Sequence, residues 1–203
     1  MKKVVVIGPE ATGKSTLCEG LAAHYGTLWV PEYAREFLLQ NGTHYTYNDL
    51  LTIAQGQQAL EEKSSAQLAE RSQTSAIENP KSEIRNLSTT NYQLPTTPLI
   101  IDTNQYVMKV WSEVVFGTCH PWILKQAAIS NYNLYLLCNV DLPWVQDGLR
   151  EQPDPEMRRR LFLEYKDILV NDGTPWAVIS GSGEERLSNA INIINHHLTN
   201  TQA

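Results

Sequence analysis

The chain has 203 residues, 42% of them apolar and 19% charged, with a formal net charge of −6. That length fits one domain able to bury a sizeable core, and the acidic balance excludes broad binding to a nucleic-acid backbone, which needs a Lys/Arg surplus. No apolar run approaches the ~18 residues of a membrane span; Cys18, Cys119 and Cys138 form no CxxC pair, which suits a reducing compartment. The opening run VVVIG is too short for the apolar core of a signal peptide, so a cytoplasmic protein is expected.

Lys3 to Ile7 is a continuous apolar run ended by Gly8, the pattern of a strand covered on both faces. Thr16 to Tyr25 has helical spacing, Leu28 to Val30 is a short strand, and Tyr33 to Gln40 opens a second helix. Tyr47 to about Glu62 is helical, Pro98 to Asp102 is a strand, and Gln105–Phe116 and Trp122–Ser130 are helices. Asn133–Cys138 is a strand, Pro155–Val170 a helix, Trp176–Ser180 a strand and Glu184–Leu198 a closing helix. Strands alternating with helices predict an α/β fold with a parallel sheet of about five strands. Residues 63–97 stand apart: rich in Ser, Thr, Asn and Gln, they read as a polar helix extension followed by a disordered excursion. On that reading, trimming residues 66–94 costs little stability. A single domain over 1–203 is expected.

Gly8-Pro9-Glu10-Ala11-Thr12-Gly13-Lys14-Ser15 matches GxxxxGK[ST] between a strand and a helix, followed by Thr16. Glycines let backbone N–H groups turn inward around phosphates, and the new helix points its positive end at them. Lys14 reaches the β/γ-phosphates and the Ser15 hydroxyl ligates Mg²⁺, so ATP and Mg²⁺ are the expected cofactors. A P-loop implies a nucleotide and leaves the reaction open; the expected fold is a three-layer P-loop NTPase of the nucleoside/nucleotide-kinase type, with strand order 2-3-1-4-5. Asp102 closes an apolar strand and reads as the acid that holds Mg²⁺; the competing reading is a helix N-cap. The segment Asn139-Val140-Asp141-Leu142 lacks the lysine of a guanine reader, and Thr103 and Asn104 follow Asp102 where mechanical ATPases often carry a second acid. Both absences favour a small-molecule kinase. A nucleotide-binding regulatory ATPase acting through a protein partner is the alternative from another class.

The second strand runs into Pro31-Glu32-Tyr33-Ala34-Arg35. Ligands sit beyond the carboxyl ends of parallel strands, so Glu32 is placed to take a proton from an acceptor hydroxyl. Arg35 would hold that carboxylate or a phosphate. Gln55, Gln57 and Gln58 read as a solvated helix face, and none of the five histidines has metal-ligand spacing.

VPEYAR resembles the VPEP…AR segment of deoxynucleoside kinases, whose glutamate is the general base. A closer resemblance is to the nicotinamide riboside kinase domain of the bacterial bifunctional regulator of NAD synthesis. It rests on the P-loop, PEYAREF, IIDTN with the later Trp111, and Pro143-Trp144-Val145-Gln146-Asp147-Gly148-Leu149-Arg150. The resemblance implies phosphorylation of the 5′-hydroxyl of nicotinamide riboside or a related nucleoside, without repressor or adenylyltransferase activity. It also implies a lid at about 143–160, from which Arg150 reaches the transferring phosphoryl group and Asp147 orients Arg150 or contacts substrate. Lys14, Glu32, Asp102 and Arg150 are the expected catalytic set, with Tyr33, Arg35, Asn104, Trp111 and Asp147 around the substrate. Arg186, after the last strand, is expected at the adenine. Arg158, Arg159 and Arg160 open the helix after the lid on the same side, where one of them could reach the phosphates, although any single member reads as a solvated helix face. The expected partner is a small nucleoside, with neither nucleic acid nor membrane.

Overall fold

The computed structural model describes residues 1–78 and 97–199; the later part of the expected excursion, 79–96, lies outside the described residues. Five strands, β1 (Lys3–Ile7), β2 (Trp29–Val30), β3 (Leu99–Asp102), β4 (Leu134–Cys138) and β5 (Trp176–Ile179), form one sheet in the order β2-β3-β1-β4-β5. Every pairing is parallel. This is the expected α/β architecture and strand order. The helices are α1 (Lys14–Tyr25), α2 (Tyr33–Asn41), α3 (Tyr47–Glu78), α4 (Gln105–Phe116), α5 (Pro121–Ile129), α6 (Pro155–Asp172) and α7 (Gly183–Thr199).

Successive strand residues face opposite sides of a sheet, and the core divides accordingly. Val5, Ile7, Leu99, Ile101, Tyr135 and Leu137 pack with Val107 and Val110 of α4 and Leu161, Tyr165 and Leu169 of α6. Val4, Val6, Ile100, Leu134, Leu136 and Cys138 pack on the other face with Leu17, Cys18 and Leu21 of α1 and Ala190 and Ile194 of α7. A third cluster, with Ala34, Leu50, Ile53, Ala54, Met108 and Ile123, joins α2, α3, α4 and α5 beside β2 and β3. Cys18, Cys119 and Cys138 are all buried free thiols. No helix among the described residues is long and apolar enough to cross a membrane.

The expected polar helix extension is present: α3 continues sixteen residues past Glu62, to Glu78. Its Ala, Gln, Glu, Lys and Arg residues are strong helix formers, and the helix carries two anchors. Leu68 is buried at 7% exposure in the sheet core. Glu61 accepts from Lys3 Nζ at 2.7 Å and from Tyr132 Oη at 2.9 Å. The expectation that residues 66–94 trim away cheaply therefore fails at its near end, because that cut removes a core leucine. Leu68→Ala is predicted to cost about 2–4 kcal/mol, the range for a buried leucine, read as a lowered denaturation midpoint in urea. An unchanged midpoint would contradict the anchoring of α3.

Candidate functional site

The cavity lies beyond the carboxyl ends of β1, β2 and β3, where this topology places ligands. Gly8 to Thr16, Glu32, Arg35, Trp111 and the lid residues Leu149 to Gln152 line it. Gly8 sits at φ 143°, and a Cβ there would lie 2.8 Å from the Cys138 carbonyl oxygen, so only glycine fits this strand exit. Gly13, at φ 75°, is the left-handed residue from which α1 starts.

Two buried arginines determine which way the loop faces. Arg158 donates from Nε to the Glu10 carbonyl at 3.2 Å and from Nη2 to those of Ala11 at 3.2 Å and Leu142 at 3.3 Å. Arg186 donates to the Thr12 carbonyl at 3.1 Å, to Ile179 and Asn139 carbonyls at 2.7 and 3.1 Å, and pairs with Asp141 at 2.8 Å. A trans peptide points its N–H opposite its C=O. Carbonyls 10 to 12, held by arginines that do not line the cavity, therefore turn the N–H groups of Ala11, Thr12 and Gly13 toward it. Arg158 corrects the solvated-face reading: it is 5% exposed, while Arg159 and Arg160 are exposed. Its guanidinium also stacks 5.9 Å from the Trp144 ring centre. Arg186 is a brace on the loop and is not among the residues that line the cavity.

At the start of α1 the Lys14 ammonium donates to the Pro9 carbonyl at 3.1 Å. The Ser15 hydroxyl donates to Asp102 Oδ2 at 2.5 Å. The competing N-cap reading of Asp102 falls to its neighbour. Asn104 Oδ1 accepts from the Tyr106 amide at 3.1 Å and caps α4. Asn104 also donates to Tyr135 Oη at 3.2 Å, so it is spent in the fold and does not line the cavity. Asp102 is wholly buried. Burial, and then the charge of Glu32, push its carboxyl well above the ordinary carboxylate range, against the opposing pull of Lys14 and Ser15.

Glu32 occupies the N-cap position of α2, yet its carboxylate makes no cap bond and lines the cavity. Tyr33, expected in the pocket, turns away and packs its ring against Gly56. The cavity wall between α2 and α4 is apolar, made by Ala34, Leu38, Val107, Val110 and Val114 around Trp111. Their spacing marks core faces in the sequence and carries no signal that the outer edge lines a cavity.

The segment expected as a lid is tied at three points. Asp147 accepts from Arg35 at 2.9 Å and pairs with Arg150 at 3.2 Å. Burial alone would raise the Asp147 carboxyl, but the Arg35 and Leu149 hydrogen bonds and the Arg150 charge hold it below its ordinary range. Glu10 accepts from the amides of Glu151 and Gln152 at 2.9 and 3.0 Å. Tyr45, missed in the sequence, donates to Glu151 at 2.8 Å and accepts from Trp111 Nε1 at 2.8 Å.

Residues 3–186 match the family model described as an AAA domain. The chain belongs to this AAA-domain family. Its fold is similar to that of the NadR protein in complex with NR, with TM-score 0.67 and 19% identity over 98% of this chain and 52% of that one. The NadR protein in complex with NAD and AMP-PNP matches at TM-score 0.65 and 19% identity, covering 97% of this chain and 49% of that one. The chain thus spans about half the length of these two proteins. Thymidylate kinase from Ehrlichia chaffeensis matches at TM-score 0.56 and 16% identity, covering 95% and 98%. The shared feature is the P-loop kinase fold.

The raised Asp102 carboxyl carries a sign that can be checked. A folded-state pKa above the unfolded one contributes stability below the unfolded value, which is lost as pH rises through the folded value. In the ligand-free protein, ionised Asp102 is therefore a net cost at neutral pH. Asp102→Asn is predicted to raise the ligand-free melting temperature by a few degrees at pH 7.5, with the gain vanishing near pH 4. Calorimetry showing a lower melting temperature at pH 7.5 would contradict the burial argument.

Proposed function

We propose that this protein is an ATP- and Mg²⁺-dependent kinase that phosphorylates the 5′-hydroxyl of a nucleoside, with nicotinamide riboside as the leading acceptor. The observation that carries the reading is the pairing of two carboxylates in one site. Asp102 is hydrogen-bonded to Ser15 beneath the phosphate loop, while Glu32 lines the cavity with no helix-capping duty. One is arranged for a cation and the other for a proton.

The residues fit Mg²⁺. A Ser15 hydroxyl and an Asp102 carboxylate 2.5 Å apart are hard oxygen donors, and Mg²⁺ takes one or two such ligands beside substrate phosphates and water. Bound with the nucleotide, the ion would neutralise charge developing on the phosphoryl oxygens. The inward N–H groups of residues 11 to 13 bind the phosphates, and Lys14 leaves the Pro9 carbonyl to pair with them. Glu32 accepts the acceptor hydroxyl proton as the oxygen attacks the γ-phosphorus, the bond from that phosphorus to the β,γ-bridging oxygen breaks, and ADP leaves with the bridging oxygen. Arg150, aimed by Asp147, adds positive charge from the lid as the phosphoryl group transfers. The lid residues covering the cavity exclude competing water.

For the acceptor, the fold likeness to a NadR protein in complex with NR supports nicotinamide riboside. So does the wall chemistry. The ring of this nucleoside carries a fixed positive charge, and Trp111 offers it an aromatic face, with Glu32 and Glu151 nearby in the same lining. Arg35, the cation on that side, is already paired with Asp147.

Lys14→Ala and Ser15→Ala are predicted to abolish turnover with the fold intact, measured by coupled ADP release and circular dichroism; near-normal turnover in Lys14→Ala would remove the P-loop assignment. Glu32→Gln should lower kcat by roughly 10²–10⁴-fold at an unchanged KM for ATP. Competition assays at fixed ATP should give nicotinamide riboside a higher kcat/KM than uridine, cytidine or adenosine, by roughly 2- to 30-fold, the worth of a cation–π contact. Trp111→Leu should narrow that margin. Better use of a neutral nucleoside would overturn the choice of acceptor and leave the kinase assignment standing.

A further inference from the structure

β2 and β3 pair at only two rungs, Trp29↔Ile100 and Val30↔Ile101. With the Ile100 N–H donating to the Leu28 carbonyl at 3.3 Å, Leu28 and Val30 face β3, so the next rung would take the Glu32 N–H to the Asp102 carbonyl, and the pairing stops before it. Glu32 and Asp102, the two functional carboxylates, both lie past this break.

Gln57 of α3 fills the gap. It is 2% exposed, and its Oε1 accepts from the Tyr33 amide at 2.8 Å. Its Nε2 donates to the Pro31 carbonyl at 3.3 Å and to the Asp102 carbonyl at 3.2 Å. The partners dictate the orientation of the carboxamide, because a flipped group would face an NH₂ to the Tyr33 N–H and an oxygen to two carbonyls. The main chain is thus held on both sides of Glu32 and at Asp102 by one side chain. Two further contacts bring α3 close enough for this reach. At Gly56 a Cβ would lie 2.2 Å from the Tyr33 ring, and Gln105 Nε2 donates to the Ala54 carbonyl at 2.9 Å.

We propose that Gln57 is a positioning residue for phosphoryl transfer, a side-chain rung that takes the Asp102 carbonyl where the ladder would have used the Glu32 N–H, and that sets Glu32 relative to Asp102. The break is useful: it lets Glu32 leave the sheet and enter the cavity, and the carboxamide restores the rigidity that the break removes. This inference rests on the kinase reading above. It predicts a particular separation of effects, because the side chain touches neither the phosphate loop nor the cavity lining.

The test is Gln57→Met, which keeps the shape and removes the hydrogen bonds, compared with Gln58→Leu at the half-buried neighbour, where Gln58 donates to Glu62 at 3.0 Å. In Gln57→Met, kcat should fall roughly 10–100-fold, the scale for a displaced reacting group, with KM for ATP within about two-fold of wild type. Hydrogen exchange of the Tyr33 amide should accelerate at least about ten-fold while β1 protection holds; Gln58→Leu should change neither. Gln57→Glu, which keeps the acceptor for Tyr33 and loses both donors when ionised, should retain Tyr33 protection at pH 8.5 yet still lose kcat. Unchanged Tyr33 exchange in Gln57→Met overturns the rung, and faster exchange with wild-type kcat overturns the positioning role. A wild-type protein that transfers phosphate to no nucleoside overturns the kinase reading and the positioning role with it, while the exchange measurement alone decides the rung.

Discussion

Three consecutive carbonyls of the phosphate loop, at Glu10, Ala11 and Thr12, are held by two buried guanidiniums, and the binding face of the protein depends on it. A glycine-rich loop has no preference of its own for pointing N–H groups inward. It needs acceptors satisfied on the far side, and Arg158 and Arg186 do this from α6 and α7, both far along the chain. Ala11 at φ 55° shows the cost, since a residue with a Cβ is rarely left-handed. Desolvating two guanidiniums is costly as well, and it is offset only because each donates to several carbonyls at once. The sheet, the helix packing and the closing helix thus converge on the orientation of a few peptide planes.

The acceptor half obeys a different constraint. Glu32 stands at the start of α2 without a cap bond, and its carboxylate accepts from Thr103 Oγ1 at 3.4 Å. The β2–β3 ladder stops before Glu32, and the carboxylate lines the cavity. The lid closes the circuit. Its Glu151 and Gln152 amides rest on Glu10 of the phosphate loop, and the Glu151 side chain reaches Tyr45 and, through it, Trp111 at the acceptor wall.

The elements were legible because they are local. The β-branched runs, the GxxxxGKS spacing and the apolar strand ending in Asp102 each declare themselves within a few residues, and the observed boundaries differ from the expected ones by one or two positions except in α3. What the sequence concealed was long-range. Arg158 sits in a run of three arginines that looks like a solvated face, and only packing of α6 under the loop selects the one that is buried. Gln57 lies among three glutamines with nothing to distinguish it until Pro31, Tyr33 and Asp102 are brought together. Asn104, Tyr33 and Arg186 were drawn toward the site by adjacency to the right residues, but each is consumed by the fold beside it. Leu68 was masked by the polar composition around it.

The account holds that the phosphate loop and Glu32 serve one reaction, transfer of a phosphoryl group to a nucleoside hydroxyl. Phosphorus NMR of the protein with ATP, Mg²⁺ and nicotinamide riboside tests this most directly, because it identifies the product as well as the loss of ATP. The predicted result is a new phosphomonoester resonance growing in step with ADP, with no build-up of inorganic phosphate. ATP consumed to ADP and inorganic phosphate at the same rate with and without nucleoside, across nicotinamide riboside and its neutral counterparts, would contradict it and indicate a nucleotide-hydrolysing module instead.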